Sequence, residues 1–435
     1  VTVIGLDDTD SRERGMCTTY LAARIADEVQ DAGGDVERLL LIRLNPAVKH
    51  KTRGNAALAI HTDLDPESAF ELARNELETA AETDDPNTNP GLVVAPHAPE
   101  NTPSEISDFA RHAVRTLLSR GEAERRIESA GYRSAGWKNA RGKIGALAAV
   151  GSWNAFSEWT HEHISYRESE RWGTPRDVDF DSVFEASDDH YPAVWDTVDR
   201  GTGEAVCIPH TPCPILYGIR GDDPDAVRRV ADRIEGEPVV QTALFVTNQG
   251  TDAHLQDGTL GEVEQNHAYR ITGTVVSKPE TRRGGHVFFT LSAESDTELG
   301  SKSESKSTGN LPCAAFEPTK RFRDHVRNIR PGDEITVCGE VSRGTLKLEK
   351  FAVRSLDTTE FVTPNCPECR RSMKSAGAGQ GYRCRDCKTQ ADGKVEQEID
   401  RELESGWYEV PPEARRHIAK PLVRGGFDEQ THPER

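Results

Sequence analysis

Apolar and polar positions recur with different periods along this chain, and the changes of period divide it. VTVIGL (1–6) reads as a buried strand. Residues 18–32 place Leu21, Ile25 and Val29 at i, i+4 and i+8, one helical face, closed by Gly33 and Gly34. RLLLIRL (38–44) and ALAIHT (57–62) read as further buried strands, and ESAFELARNELETAAE (67–82) as an amphipathic helix. The pattern then breaks over 84–105, where five prolines and several Asn and Asp predict a loop or an excursion, followed by a helix at 105–119.

Residues 121–265 read as a second α/β unit. It holds KIGALAAVG (143–151), the strand-like AVCIPH (205–210) and PILYGIRG (214–221), a helix at 224–234 and a strand near 239–247. From 268 to 355 the period becomes two: AYRITGTVVSK, GHVFFTLSA, DEITVCGEVS and TLKLEKFAVR alternate between turn signals. About five such strands suit a small barrel of the OB type. The polar, Ser-rich SDTELGSKSESKSTGN between them reads as a disordered connector. A cysteine module begins at 364, and a charged helical tail is expected to end the chain. The expected fold is thus multidomain α+β, with domains over 1–120, 121–265, 266–356 and 360–425, part of 121–195 being open to either of the first two.

Composition changes the picture in two ways. No apolar run approaches the roughly 18 residues of a spanning helix, no secretory leader opens the sequence, and nine cysteines do not read as a disulfide framework, so a soluble cytoplasmic protein is expected. The charge is lopsided: 73 Asp+Glu against 54 Lys+Arg, only 14 of them Lys, for a net −19. Such a surface suits a cytosol of very high salt, or else a basic partner. It would ordinarily argue against nucleic acid. In molar salt, however, the Debye length falls to about 3 Å and local charge decides. The chain has four basic islands: 125–143, 320–330, 366–388 and 414–424. Together they point to a polyanion touched at several places, although any one of them reads equally as solvated surface.

Cys366-x2-Cys369-x14-Cys384-x2-Cys387 carries the strongest single signal. Two CxxC knuckles at this separation fit a closed, four-thiolate structural Zn2+ site. Asp7, Asp8 and Asp10 follow the first predicted strand. In open α/β sheets ligands bind off the carboxyl ends of strands, and carboxylates there hold Mg2+ together with substrate phosphates. Thr18 is expected at the N-cap of the next helix, where free N–H groups favour an anion, and Gly15 lets the loop approach closely. The same residues also read as an acidic turn followed by an ordinary Thr cap. Lys51, Arg53, Gly54 and Asn55 lie between two predicted strands, placed to clamp triphosphate oxygens, yet no Walker A pattern is present. Gly136 to Gly142 combines donors, a ring and glycines, which suits a nucleotide, RNA or a plain turn.

Read together, GLDDTDS, GMCTTY, RLNP with KTRGNAA, ARGKIGALAAVG, PHTPCPILYGIRG, VTNQGTDAHL, CAAFEPTKRFR, the four cysteines and GWYEVPPEARRHIAKPL resemble one family almost end to end. That family is the archaeal 2-agmatinylcytidine synthetases, which modify isoleucine tRNA with a CAU anticodon. The resemblance implies a kinase-like domain, a ferredoxin-like domain, an OB-fold and a zinc ribbon. It implies that ATP phosphorylates the 2-carbonyl oxygen of the wobble cytidine, that the amine of agmatine displaces this phosphate, and that ATP ends as AMP plus phosphates. The phosphorylated threonine of the GMCTT motif would be Thr18, with Thr19 its neighbour.

On this reading Asp7, Asp8, Asp10 and Thr18 are catalytic and the three acids hold Mg2+. ATP lies against Gly15, Thr19, Lys51, Arg53, Gly54 and Asn55. RNA meets Lys138, Arg141, Lys320, Arg321, Arg371 and Lys374. No obligate protein partner is implied. The chain departs from the family at Lys138-Asn139-Ala140-Arg141, where Gly-Asn-Gly-Arg is expected. Two other classes compete. One is a phosphohydrolase with an Asp8-Thr9-Asp10 nucleophile motif, against which stands Arg12 in place of the usual Thr or Val. The other is a non-catalytic RNA-binding protein.

Overall fold

The computed structural model describes residues 1–51, 54–293 and 309–435. Arg53 and all but the last two residues of the Ser-rich connector lie outside them. The first half of the chain builds one nine-stranded sheet, ordered β5-β4-β1-β3-β2-β9-β6-β8-β7. Its strands are β1 (Thr2–Asp7), β2 (Val36–Arg43), β3 (Ala56–Thr62), β4 (Gly91–Ala95), β5 (Arg133–Gly136), β6 (Thr160–Arg167), β7 (Val194–Trp195), β8 (Ile215–Gly221) and β9 (Val239–Thr247). Most neighbours are antiparallel, but β2 and β9 pair in parallel, and that seam joins the two predicted α/β units into one sheet.

Strand β1 is apolar from Val3 to Leu6 because both its faces are covered there. Ile4 and Leu6 pack with α1 (Thr18–Asp31) and α2 (Pro66–Ala80). Val3 packs on the other face with α3 (Ser104–Arg115) and α5 (Lys143–Ala155). Gly5 lets α5 lie directly on β1, since a Cβ there would sit 2.2 Å from the Ala146 carbonyl oxygen. That contact brings the start of α5 over the end of β1, where the aspartates begin.

Several expectations are corrected here. The predicted loop contains β4, whose GLVVA is fully buried between β1 and β5. Its flanking prolines bound the strand and do not interrupt it. The helix expected at 105–119 ends at Arg115, and a separate α4 (Arg120–Ser129) follows with Ser119 as its cap. AVCIPH forms turns; Cys207 donates its N–H to the Thr197 carbonyl. Helices α6 (Phe180–His190) and α7 (Pro224–Arg233) cover the second half of the sheet.

A short β10 (Leu255–Asp257) leads into the barrel. Its elements are β11 (Ala268–Val275), β12 (Glu280–Thr281), β13 (Val287–Ser292), β14 (Leu311–Ala315), α8 (Phe322–Arg327), β15 (Glu334–Ser342) and β16 (Thr345–Ser355). Pairings β11–β13, β13–β14, β14–β16, β16–β15 and β15–β11 close the ring. The alternating residues Ile271, Val287, Phe289, Val337 and Phe351 fill it.

The cysteine module consists of β17 (Thr359–Val362), β18 (Lys374–Ser375), β19 (Tyr382–Arg383), β20 (Gln390–Ala391) and β21 (Val395–Glu398). Beyond it the tail is not the expected helix. It returns to the barrel as β22 (Gly406–Glu409) beside β16, makes 3-10 turns, and ends with β23 (Thr431–His432). Pro411, Pro412 and Pro421 deny the N–H donors a helix would need. No helix among the described residues is long and apolar enough to cross a membrane.

Candidate active site

A cavity of about 610 Å³ opens at the carboxyl ends of β1 and β2 and the start of β6, walled in part by the loops after β1 and β2. Its walls bring together residues far apart in sequence. Asp7, Asp8, Asp10, Thr18 and Thr19 come from the first 20 positions, Lys51, Gly54 and Asn55 from the β2–β3 loop, and Arg141 from the turn before α5. Of the predicted nucleotide-site residues, Gly15 stands apart. It holds a positive φ of 98° within a loop that Ser11 closes by donating its N–H to the Gly15 carbonyl. Arg53 lies outside the described residues.

The acids occupy a dry position. Gly145 on α5 abuts Asp7 so closely that a Cβ there would lie 2.0 Å from Oδ2. Burial, then the charge of Asp8, hold the Asp7 carboxyl well above its ordinary range. Asp8 takes a left-handed backbone, φ 61°, with its N–H donating to Asp7 Oδ1 at 2.7 Å. Burial pushes its pKa up to about 6 against the pull of Arg141, which donates to Asp8 Oδ2 at 2.8 Å and to the Asn87 carbonyl at 2.9 Å. Such a cluster is short of positive charge, and a cation would complete it. The carboxylates do not converge on one point, however. Among the described residues the only set of three or more groups close enough to share an ion is the four cysteines.

Thr18 is the first helical residue of α1, and the cap is Cys17, which makes no side-chain cap bond. This corrects the expected capping role and leaves the Thr18 hydroxyl uncommitted to the helix. That hydroxyl accepts a hydrogen bond from Thr9 at 3.1 Å and faces the cavity. Across from it, the β2–β3 loop is anchored to the barrel: Asn45 Nδ2 donates to the Asn266 carbonyl at 3.0 Å and Asn55 Nδ2 to the Asn45 carbonyl at 2.9 Å. The Lys51 ammonium donates to the Pro46 carbonyl, and burial lowers its pKa.

Arg43, Glu162, Cys213 and His417 also line the cavity, and sequence reasoning missed all four. Arg43, Cys213 and His417 lie within the quoted stretches RLNP, PHTPCPILYGIRG and GWYEVPPEARRHIAKPL, which do not by themselves assign them to a site, and Glu162 lies on a strand outside any of them. Arg43 Nε donates to Gln249 Oε1 at 3.1 Å. Gln249 in turn donates to Glu162, which lies 3.7 Å from Arg220 Nε.

The predicted RNA contacts are scattered. Arg141 lies in the cavity, whereas Lys138, on the same exposed turn, donates to the Asp85 carbonyl. Arg321 ties the barrel to the body through Asp199 at 2.9 Å and to the tail through Glu434, and Lys320 pairs with Glu413 at 3.2 Å. Arg371 and Lys374 lie exposed on the ribbon, Arg371 beside Asp386. In that ribbon the four cysteine sulfurs lie within 4.8 Å of one another. Tetrahedral Zn–S bonds of about 2.3 Å place sulfurs about 3.8 Å apart, and Cys369 and Cys384 stand at 3.6 Å. The Cys369 N–H pulls the Cys366 thiol down to about 6, which favours the thiolate. The set fits a structural zinc ion.

A cavity lined by carboxylates and cations, in a chain that also carries a closed barrel and a four-cysteine ribbon, defines a multidomain α/β protein built to handle polyanions. Three domain profiles of one family match the chain: the TiaS TCKD domain over 3–64 and 60–139, the TiaS FLD domain over 140–254, and the TiaS C-terminal zinc ribbon domain over 363–403. The chain is 55% identical to the isoleucine-tRNA 2-agmatinylcytidine synthetase TiaS of Haloquadratum walsbyi over the whole of both chains. It is 44% identical to that of Methanosarcina mazei over 97% of each. The solved complex of TiaS with isoleucine tRNA and ATP matches at 40% identity and a TM-score of 0.88, covering 100% of this chain and 99% of that one. The complex of TiaS with the same tRNA, AMPCPP and agmatine matches at 38% and 0.85 with the same coverage. The chain belongs to the TiaS family, the 2-agmatinylcytidine synthetases of isoleucine tRNA.

Proposed function

We propose that this protein is an ATP-dependent ligase that joins agmatine to C2 of the wobble cytidine in isoleucine tRNA with a CAU anticodon, so that the tRNA reads AUA. The observation that carries this is the meeting, in one cavity, of buried carboxylates, the Thr18 hydroxyl, Lys51, Gly54 and Asn55. A pyrimidine carbonyl oxygen is a poor leaving group, and phosphorylating it makes it a good one. The cleft suits that task, since catalysis of phosphoryl transfer is mainly positioning and charge stabilisation.

Asp7 and Asp8 would hold Mg2+, which supplies charge neutralisation at the transferring phosphoryl; one or two carboxylates with substrate phosphates are its usual ligands. Thr18 accepts a phosphoryl group, Asp10 adds negative charge beside the pair, and Arg141 orients Asp8. Lys51, Arg53, Gly54, Asn55 and Thr19 receive ATP, with Gly15 shaping the loop. The wobble base must leave its stack, at a cost of a few kcal/mol, which contacts from Lys138, Lys320, Arg321, Arg371 and Lys374 offset.

The kinase-like domain spans 1–120 and continues through β5, because β5 pairs with β4. The ferredoxin-like domain follows to 265. The barrel over 266–356 is an OB-fold, a reading supported by its ring order β11-β13-β14-β16-β15. The ribbon and tail fill 360–425. The reaction takes place in the cytoplasm. Nucleoside mass spectrometry of CAU-anticodon isoleucine tRNA, incubated with protein, ATP, Mg2+ and agmatine in high salt, tests the reading. Agmatinylated cytidine only in the complete mixture is expected. Phosphate release without tRNA or agmatine would replace the reading by a phosphohydrolase, and tRNA binding with no chemistry by an RNA-binding protein.

A further inference from the structure

His417 comes from the tail, 399 positions after Thr18, and lines the same cavity. Its backbone is pinned on both sides. Gly250 donates its N–H to the His417 carbonyl at 2.8 Å, Asp252 does so to Ile418 at 3.0 Å, and the Lys420 N–H donates to Asp252 Oδ1 at 2.7 Å. Arg415, just before it, is buried against Asp196 and Glu409, and Arg416 pairs with Glu340 at 2.6 Å. The imidazole is held but not used: it hydrogen-bonds no described residue, and its exposed surface opens into the cavity. Of the other acid–base groups there, Asp8 bonds Arg141 and Glu162 accepts from Gln249, while His50 lines the same cavity from the β2–β3 loop. Desolvation inside the cavity, then the guanidiniums of Arg220 on β8 and Arg43 on β2, lower the basicity of the His417 ring.

We infer that His417 is the general base of the amine-transfer half of the reaction, a role that rests on the function proposed above. When the agmatine amine adds to C2, the new C–N bond leaves a positive nitrogen with a proton to lose. The neutral imidazole takes that proton while the phosphate departs with the C–O electron pair. The lowered basicity makes the ring a weak base, which suffices because the adduct nitrogen is far more acidic than a free ammonium. The two arginines lower the proton affinity of a bound amine by the same field that keeps the imidazole free.

The test uses the full-length protein with tRNA, ATP and Mg2+, comparing wild type with His417→Gln. Two nucleophiles are offered: agmatine, and hydroxylamine, which is uncharged at neutral pH and needs less help to shed its proton. Wild-type conjugation of agmatine establishes the underlying reading separately. In the variant, kcat for agmatine should fall about 10²-fold with KM within a few-fold. Hydroxylamine addition should fall much less, and tRNA-dependent ATP cleavage without any amine should persist. That cleavage also reports a folded cleft. Unchanged agmatine conjugation would overturn the assignment. Equal losses with both nucleophiles, or loss of ATP cleavage too, would make His417 a structural wall residue.

Discussion

The chain carries two clusters of ligand-type side chains, and they are built in opposite ways. Asp7 and Asp8 stand at the end of an interior strand of a nine-stranded sheet, under a helix that touches Asp7. Their positions are imposed by a core that exists without them. The cysteines sit in a ribbon whose interior is little more than Cys366, Met373 and Cys384, with Cys369, Tyr382, Cys387 and Ala391 packed against it. Such a core is too small to offset chain entropy, so the ion must supply the folding energy. One site is rigid and electrostatically uncomfortable; the other is comfortable only when loaded. The scaffold tolerates a strained carboxylate where tens of apolar residues hold the backbone.

The sharpest way to break this contrast is to remove charge from the rigid site. Asp7→Asn should lower agmatine incorporation about 10³-fold or more and leave the thermal midpoint at or above that of wild type, checked by nucleoside mass spectrometry and calorimetry. A large loss of stability would mean that Asp7 supports the fold. Stripping zinc with a chelator comes next. Backbone amides of 359–398 should lose hydrogen-exchange protection while β1 to β9 keep theirs, and tRNA affinity should fall by about one to two orders of magnitude. Loss of protection across the sheet would show that the two regions fold as one.

A smaller effect concerns the strain itself. The folded-state pKa of Asp8 is raised from 3.8 to about 6, so its ionised form is disfavoured on folding. The resulting penalty is fully present above pH 6 and disappears as pH falls below about 4. Asp8→Asn should therefore stabilise the metal-free protein by about 1–3 kcal/mol at pH 8 and by nothing at pH 4. A destabilised variant at pH 8 would mean that the Arg141 ion pair outweighs burial. The smallest effect is on the ribbon surface. Arg371→Ala and Lys374→Ala should each weaken tRNA binding only a few-fold and flatten its salt dependence by about one unit of slope, read by titration at two salt concentrations.

The legibility of the sequence follows the same division. The ribbon announced itself completely, because ligand spacing is local. The strand before Asp7 and helix α1 were equally plain from their periods. Strand β4 was hidden by Pro90 and Pro96, residues that mark both loops and the limits of a strand. The tail misled because its charges resemble a helical surface, whereas Arg415, Arg416 and Arg424 pair with Asp196, Glu340 and Asp222 across domain boundaries. Arg43, Cys213 and His417 lie in stretches that marked the family but not the site, and Glu162 lies in none. What unites them is a shared cavity, and only tertiary structure decides that.

The tail also has a consequence in time. A ribosome releases Asp7 and Thr18 hundreds of residues before it releases His417, and β22 joins the barrel later than every barrel strand. The pocket therefore gains its last wall only when synthesis has passed residue 417. A prematurely terminated chain could fold most of its sheet and still present an open, unfinished pocket, so a shortened product would be filtered by its chemistry before any protease had to recognise it.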